Sequence, residues 1–332
     1  MNARTLPAHE AIDGTLSPTL ISICIPTCNR AQLLEQAIES CLAQSYPDVE
    51  IVINDDSRDE SAAEVERMLL RLRARGGAPI RYERNVPRLG QANNVNRLFA
   101  RARGARLVLL HDDDLLAPGA LDMLARCWTL HPDVSIAFGK QRVVSNDGTP
   151  RADATERLNR DYLRIPERAG LLKVPALAGI DQMFPNNGYL IDTLSARAIG
   201  YDATDRVLDA CDFDFGLRLC CAASGVCFVD EFIAMSRETE QSISRHALPA
   251  MHAYAALAAT DVPADARAAR EAALRRLAPR AASAFARAGQ AAVAWRILLS
   301  SRYPMRERLS ARFVFHAMLA LRATLKPRHA AH

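Results

Sequence analysis

No run in this sequence approaches the roughly 18 consecutive apolar residues that a membrane-spanning helix needs. The opening stretch, Met1 to Thr19, has no apolar centre of the kind an export signal carries. The eight cysteines form no C-x-x-C pair and no regular framework, and most sit inside apolar runs, where a free thiol acts as a small hydrophobe. These absences argue against a disulfide-stapled secreted scaffold and lead us to expect a cytoplasmic chain in a reducing compartment. There is no internal repeat and no recognisable nucleic-acid-binding motif, so nucleic acid is not an expected partner.

What is present is a full complement of core-forming residues. With 332 residues, 49% of them hydrophobic, the chain can build one large α/β domain with an extension, or two small domains. The net charge of +4 is unevenly spread. From Met251 to His332 fourteen Lys and Arg face four acids, so the rest of the chain is about six charges negative. A basic tail of this kind suits solvent as a helical cap, or an anionic membrane surface.

The first 140 or so residues alternate short apolar runs with helical periodicity. Leu20–Ile25, Val49–Ile53, Ile80–Tyr82 and Arg106–Leu110 read as strands. Ala31–Gln44, Ala62–Arg75, Gly90–Arg103 and Leu121–Leu130 read as helices, with Gly104 as the stop of the third. Such alternation predicts a mostly parallel sheet flanked by helices. Ser135–Ala137 and Arg142–Val144 read as two short strands, Asp209–Cys221 as a helix, and Met305–Ala323 as a basic amphipathic helix. The expected organisation is a lead-in over 1–18, a catalytic domain over 19–245 divided near 140 into a nucleotide half and an acceptor half, and an Ala/Arg-rich helical extension over 246–332.

Parallel sheets bind ligands beyond the carboxyl ends of their strands. Three strands here end in polar clusters: Pro26-Thr27-Cys28-Asn29-Arg30, Asn54-Asp55-Asp56-Ser57, and His111-Asp112-Asp113-Asp114. Adjacent carboxylates repel, and a hard divalent ion such as Mn²⁺ or Mg²⁺ would relieve them while leaving positions for phosphate oxygens. A turn with helix-capping acids is the plainer alternative. The other two clusters, taken singly, are equally compatible with ordinary loops.

Taken together, ISICIPTCNR, EIVINDDSRDES, NVPRLGQANNVNRLFARARGARL and LVLLHDDDLLAPGAL resemble, in order and spacing, the family 2 glycosyltransferases of GT-A fold. The resemblance covers about residues 19–245. It implies an inverting enzyme that uses a nucleotide-sugar, with a UDP-sugar as the expected donor and a hydroxyl of a glycan or lipid-linked glycan as acceptor. It also implies that Pro26, Thr27, Asn29, Asp56 and Asn94 serve the nucleotide, with Thr27 and Asp56 nearest the base. Asp113 would bind the metal, with Asp112 and Asp114 holding ribose or donor sugar. Asp212, in Asp212-Phe213-Asp214-Phe215-Gly216, would be the catalytic base, with Asp209 and Asp214 as alternatives. Asn186 and Asn187 fall where relatives face the acceptor. Thr239 stands where many relatives carry a histidine near the diphosphate, and His246 lies further on. The chain also departs from common family usage: His111 replaces an Asp, Cys28 a Tyr and Cys211 a Glu. Two other functions fit strand-end acids. A nucleotidyltransferase is one, although its usual Gly-rich basic loop after the first strand is missing here. A non-catalytic nucleotide-sugar-binding subunit is the other.

Overall fold

The computed structural model describes residues 17–204, 207, 210–238 and 249–325. The expected lead-in falls almost entirely outside them, as do Asp209, Thr239 and His246.

Three overlapping β-α-β units open the described residues. Strands β1 (Ser17–Thr27), β2 (Val49–Asp55), β3 (Ile80–Arg84) and β4 (Gly104–Leu109) alternate with helices α1 (Ala31–Leu42), α2 (Asp59–Ala74) and α3 (Gln91–Arg101). These four strands pair in parallel, in the spatial order β3-β2-β1-β4. The short β5 (Leu115–Leu116) and helix α4 (Ala120–Leu130) follow. The second half supplies β6 (Ile136–Val144), α5 (Ala152–Asp161), β7 (Gly170–Leu171), α6 (Ala176–Ile180), β8 (Tyr189–Asp192), α7 (Thr193–Ile199), α8 (Cys211–Ala222) and β9 (Val226–Arg237). Its strands extend the same sheet as β4-β8-β6-β9-β5, with β7 also pairing to β9. Here the pairing is mixed: β8 runs antiparallel to both β4 and β6, while β9 runs parallel to β6.

The sheet is covered on both faces, as its near-continuous apolar strands require. Alternate residues of β1 and β2 divide between two cores. Ile21, Ile23, Ile25, Ile51 and Ile53 pack with α1, α2 and α4, whereas Cys24 and Val52 pack with Leu98 and Phe99 of α3 and Phe215 of α8. The extension consists of α9 (Pro249–Ala259), α10 (Arg267–Arg287), α11 (Ala291–Leu299) and α12 (Ala311–Leu325). Its core of Leu257, Leu274, Phe285 and Leu298 also takes in Ala176 and Ile180 of α6 and Leu217 of α8.

Three local expectations need correction. Gly104 does not stop α3; it opens β4. A Cβ there would lie 2.3 Å from the Leu20 carbonyl oxygen, so close approach to β1, rather than a helix end, selects glycine. The two short strands expected near residue 140 are one strand, β6. Gly139 and the polar pair Lys140-Gln141 interrupt its apolar pattern where the ladder shifts register against β9. The last helix is shorter than Met305–Ala323. Residues 305–307 form a separate 3₁₀ turn, and Ser310 starts α12 afresh by accepting the Phe313 N–H at 3.3 Å.

Candidate active site

The sheet order brings five segments to one rim. β1, β2 and β4 are parallel, so the residues after Thr27, Asp55 and Leu109 emerge on the same edge. β8 runs the other way, with Tyr189 opposite Leu109, so residues 186–188 arrive there from the second half. β5 pairs with Ala234 and Met235 of β9, which draws Arg237 alongside.

The acids at this rim are held by specific donors. Asp112 accepts from the Thr27 hydroxyl at 2.8 Å and more weakly from the Cys28 N–H at 3.4 Å. Arg30 reaches across from the start of α1, donating at 3.3 Å to Asp112 and at 2.9 Å to Asp113. Asp114 is buried, accepting the Asn187 amide at 2.6 Å and the Arg237 backbone N–H at 2.8 Å. The Arg237 guanidinium donates to the Asp113 carbonyl at 3.0 Å, to Gln36 of α1 at 2.7 Å and to the Asn146 carbonyl. Three consecutive carboxylates are therefore held by five residues from three separate parts of the chain.

Burial governs the protonation of this group. It pushes Asp114 up to about 7, with the Asp113 charge adding to the shift. Asp112 is raised for the same first reason, although Arg30 pulls against it. Burial disfavours the His111 imidazolium, but Asp212, Asp114, Asp113 and Asp112 outweigh it and hold His111 above its ordinary value. Asp212 leads those carboxylates, so the first turn of α8 is within electrostatic reach of His111. Asp212 itself accepts from the Tyr201 hydroxyl at 2.9 Å, and Tyr201 stacks on Phe215 one turn along α8.

His111, Asp113 and Asp114 bring ligand atoms within 4.8 Å of one another. Two carboxylates and an imidazole at that separation fit one divalent ion, and the imidazole suits Mn²⁺ better than Mg²⁺, which favours oxygen. The two hydrogen bonds already on Asp114 leave lone pairs to spare, because a carboxylate offers about four acceptor sites.

The remaining predicted positions divide in two. Asn187 joins the acid cluster, and its side-chain amide oxygen is buried without a hydrogen-bond partner among the described residues. Asn186 is exposed and accepts from Gln141 at 3.2 Å. Pro26 lies within β1 opposite Asn54. Asn29 adopts φ 58°, donates its N–H to the Ser57 hydroxyl oxygen at 2.7 Å, and accepts the Arg58 N–H on its side-chain oxygen at 3.0 Å. Asp56 and Asn94 are buried and engaged by the protein. Asp56 accepts from Asn85 at 2.7 Å and from the Leu89 and Gly90 N–H groups, the latter at 2.7 Å. Asn94 accepts from Asn85 at 2.8 Å and donates to the Asn54 carbonyl at 3.2 Å. Asp214, the alternative base, is buried against Arg218 at 2.7 Å.

Five residues at or behind the rim carry no assignment from the sequence. Arg30 and Arg237 sit in segments that did attract notice, but nothing in spacing told that they would face the acids. Tyr201 lies in an irregular stretch with no periodicity to orient it. Gln141 and the buried Arg164 prop the 183–187 loop: Arg164 donates to Gln141 and to the Met183 carbonyl, each at 2.8 Å.

A sheet with a parallel nucleotide-side edge, a mixed second half and acids at the strand ends is the frame of the GT-A transferases. Residues 22–188 match the family described as Glycosyl transferase family 2. The chain is 35% identical over 243 residues to an uncharacterized protein of Mycobacterium tuberculosis, covering 70% of this chain and 71% of that one. It is 35% identical over 105 residues to the GalNAc(5)-diNAcBac-PP-undecaprenol beta-1,3-glucosyltransferase of Campylobacter jejuni, spanning 31% of this chain and 33% of that relative. In fold it is similar to S. aureus TarS in complex with UDP, with a TM-score of 0.63 at 15% identity over 92% of this chain and 88% of that one. It is also similar to the mannosyltransferase PcManGT of Pyrobaculum calidifontis in complex with GDP-Man and Mn²⁺, with a TM-score of 0.55 at 17% identity over 93% and 90% of the two chains. The chain belongs to glycosyl transferase family 2.

Proposed function

We propose that this chain is an inverting glycosyltransferase that moves a sugar from a nucleoside-diphosphate donor, a UDP-sugar, to a hydroxyl of a glycan or lipid-linked glycan. The observation that carries the reading is the convergence of the ends of β1, β2 and β4 on the His111–Asp114 cluster at one rim, with Asp212 within electrostatic reach of His111. In inverting transfer the acceptor oxygen bonds to the anomeric carbon while the bond from that carbon to the diphosphate breaks. Asp212 takes the acceptor proton as its oxygen attacks. The Tyr201 hydroxyl fixes the direction of that carboxylate. Asn187 joins the acceptor-side loop to Asp114, so that the loop and the donor side share one support.

Asp113, with His111 and Asp114, would hold Mn²⁺ or Mg²⁺. Such an ion supplies compensation for charge developing on the departing diphosphate. Thr27 and Asn29 line the nucleotide side, while Asp56 and Asn94 shape it by fixing the loop that leads into α3.

Two substitutions test the assignment. Asp113→Ala should abolish Mn²⁺-dependent binding of UDP in calorimetry; metal-dependent binding at wild-type strength would remove Asp113 from the site. Asp212→Asn should leave donor affinity near normal and lower kcat by about 10²–10⁴-fold, the usual worth of a positioned base. Unchanged turnover would place the base elsewhere, and release of pyrophosphate in place of UDP would overturn the reaction class.

A further inference from the structure

Helix α12 turns an apolar stripe toward solvent. Among the described residues thirteen large hydrophobic side chains are exposed, and eight of them lie between Leu299 and Leu325. That concentration singles out one end of the molecule. On α12 itself Val314, Phe315, Met318, Leu321 and Leu325 are 49–73% exposed. Steps of four, three and four from Val314 through Met318 and Leu321 to Leu325 keep them on one side of the helix. The other side, marked by His316 and Ala320, is buried, and Tyr303 meets His316 at 3.1 Å. Scattered exposed apolar residues are ordinary in a folded protein, but a continuous stripe marks a contact surface.

Charge decides what the stripe would contact. Between Leu299 and Leu325 there are five arginines and one acid, Glu307. Arg306, Arg312 and Arg322 are exposed, and Arg322 falls within the arc of the stripe. A symmetric pairing of two copies through this face would set Arg312 and Arg322 against their like-charged counterparts. An anionic lipid surface satisfies both the apolar side chains and the arginines. The helix has fifteen residues, about 22 Å of length, which falls short of the roughly 30 Å hydrocarbon layer. No helix among the described residues is long and apolar enough to cross a membrane. Lying in the interface is what remains open to such a helix.

We infer that α12 is a membrane-docking helix. It lies in the plane of an anionic bilayer, with Val314, Phe315, Met318, Leu321 and Leu325 at the acyl boundary and Arg306, Arg312 and Arg322 among the headgroups. The inference deepens the glycosyltransferase reading by seating the enzyme where a lipid-linked acceptor resides. Docking requires no turnover, so the two claims fail separately.

Co-sedimentation of the full chain with vesicles provides the test. Phosphatidylcholine vesicles with a one-third share of phosphatidylglycerol should pellet the protein at low salt. Pure phosphatidylcholine should pellet far less, and high salt should weaken the anionic case. The double variant F315D/L321D should stay in the supernatant, and R312S/R322S should bind anionic vesicles roughly 30-fold more weakly, the worth of two basic side chains near such a surface. Circular dichroism and UDP-induced thermal shift should match wild type in both, because all four side chains face solvent. If a variant misfolds, the wild-type comparison and the other variant still decide. Wild-type protein that ignores anionic vesicles while hydrolysing a UDP-sugar would overturn the docking and spare the activity. A concentration-dependent dimer in sedimentation velocity, split by F315D/L321D and indifferent to vesicles, would assign the stripe to a second copy and also overturn the inference.

Discussion

Asp114 shows how a single buried carboxylate links proton and ion. Its two protein donors hold it in place, while burial, with the adjacent Asp113 charge adding to the effect, lifts its pKa to about 7. Near neutrality a substantial share of the protein therefore carries a proton on this group, and the proposed divalent cation would have to displace it. The sign follows: lowering the pH toward 6 favours the protonated carboxyl and weakens cation binding, and raising it toward 8 strengthens binding. Titrating Mn²⁺ at pH 7 in two buffers of different ionisation heat should reveal proton release. D114N should bind Mn²⁺ more weakly and release fewer protons. Equal proton release in that variant would show that the titrating group is another one. The neighbours of Asp114 also mark where sequence reading stopped. The run His111–Asp114 was legible as a site because acids directly after an apolar strand are conspicuous. Arg30, which compensates two of them, is separated from Asp112 by 82 positions, and no local pattern encodes that meeting.

At the scale of elements, the loop between α6 and β8 carries Asn187 to the acids, and Gly188 makes its arrival possible. Gly188 has φ 73°, and a Cβ there would lie 2.6 Å from the Ala234 Cβ. Its N–H bonds to the Leu109 carbonyl at 2.8 Å, at the end of β4. Gly188→Ala should cost about 1–2 kcal/mol from the left-handed backbone alone, before the clash with β9 is counted. Urea denaturation should report that loss, and kcat should fall with it as Asn187 moves off Asp114. Wild-type stability in the variant would mean that β9 yields more easily than its ladder suggests. Most elements of the first half were readable because strand and helix periods alternate cleanly there. The second half was harder for a physical reason. β7 and β8 have two and four residues, too few for alternation to register, and β6 is interrupted at Gly139 where Ile233 leaves no room for a side chain.

At the scale of the molecule, the helical extension shares a core with the catalytic part through Ala176, Ile180 and Leu217. That shared core predicts one cooperative unfolding transition in place of two. The sequence holds two tryptophans, and they fall on opposite sides of the seam. Trp128 ends α4, with the Arg106 guanidinium 4.6 Å from its ring centre, while Trp295 lies on α11 and bonds to Thr324 of α12. Single-tryptophan variants W128F and W295F should therefore give coincident fluorescence midpoints in urea. Midpoints well apart would show the extension folding on its own. Composition made the extension readable as helical and basic, but only packing reveals which helices are enclosed and which face is left bare.

The inverted strand β8 has a consequence for how a reaction could be shielded. Four residues of β8 are laddered to β4 from Arg106–Asp192 to Leu109–Tyr189, so the two halves of the protein are one continuous fabric. Jaw-like closure of one half on the other would tear that ladder, and it leaves no hinge between them. Any exclusion of water from the reacting atoms then falls to side chains and rim loops moving over a rigid floor. A family member built this way can change its guests by rewriting those loops while the floor stays as it is.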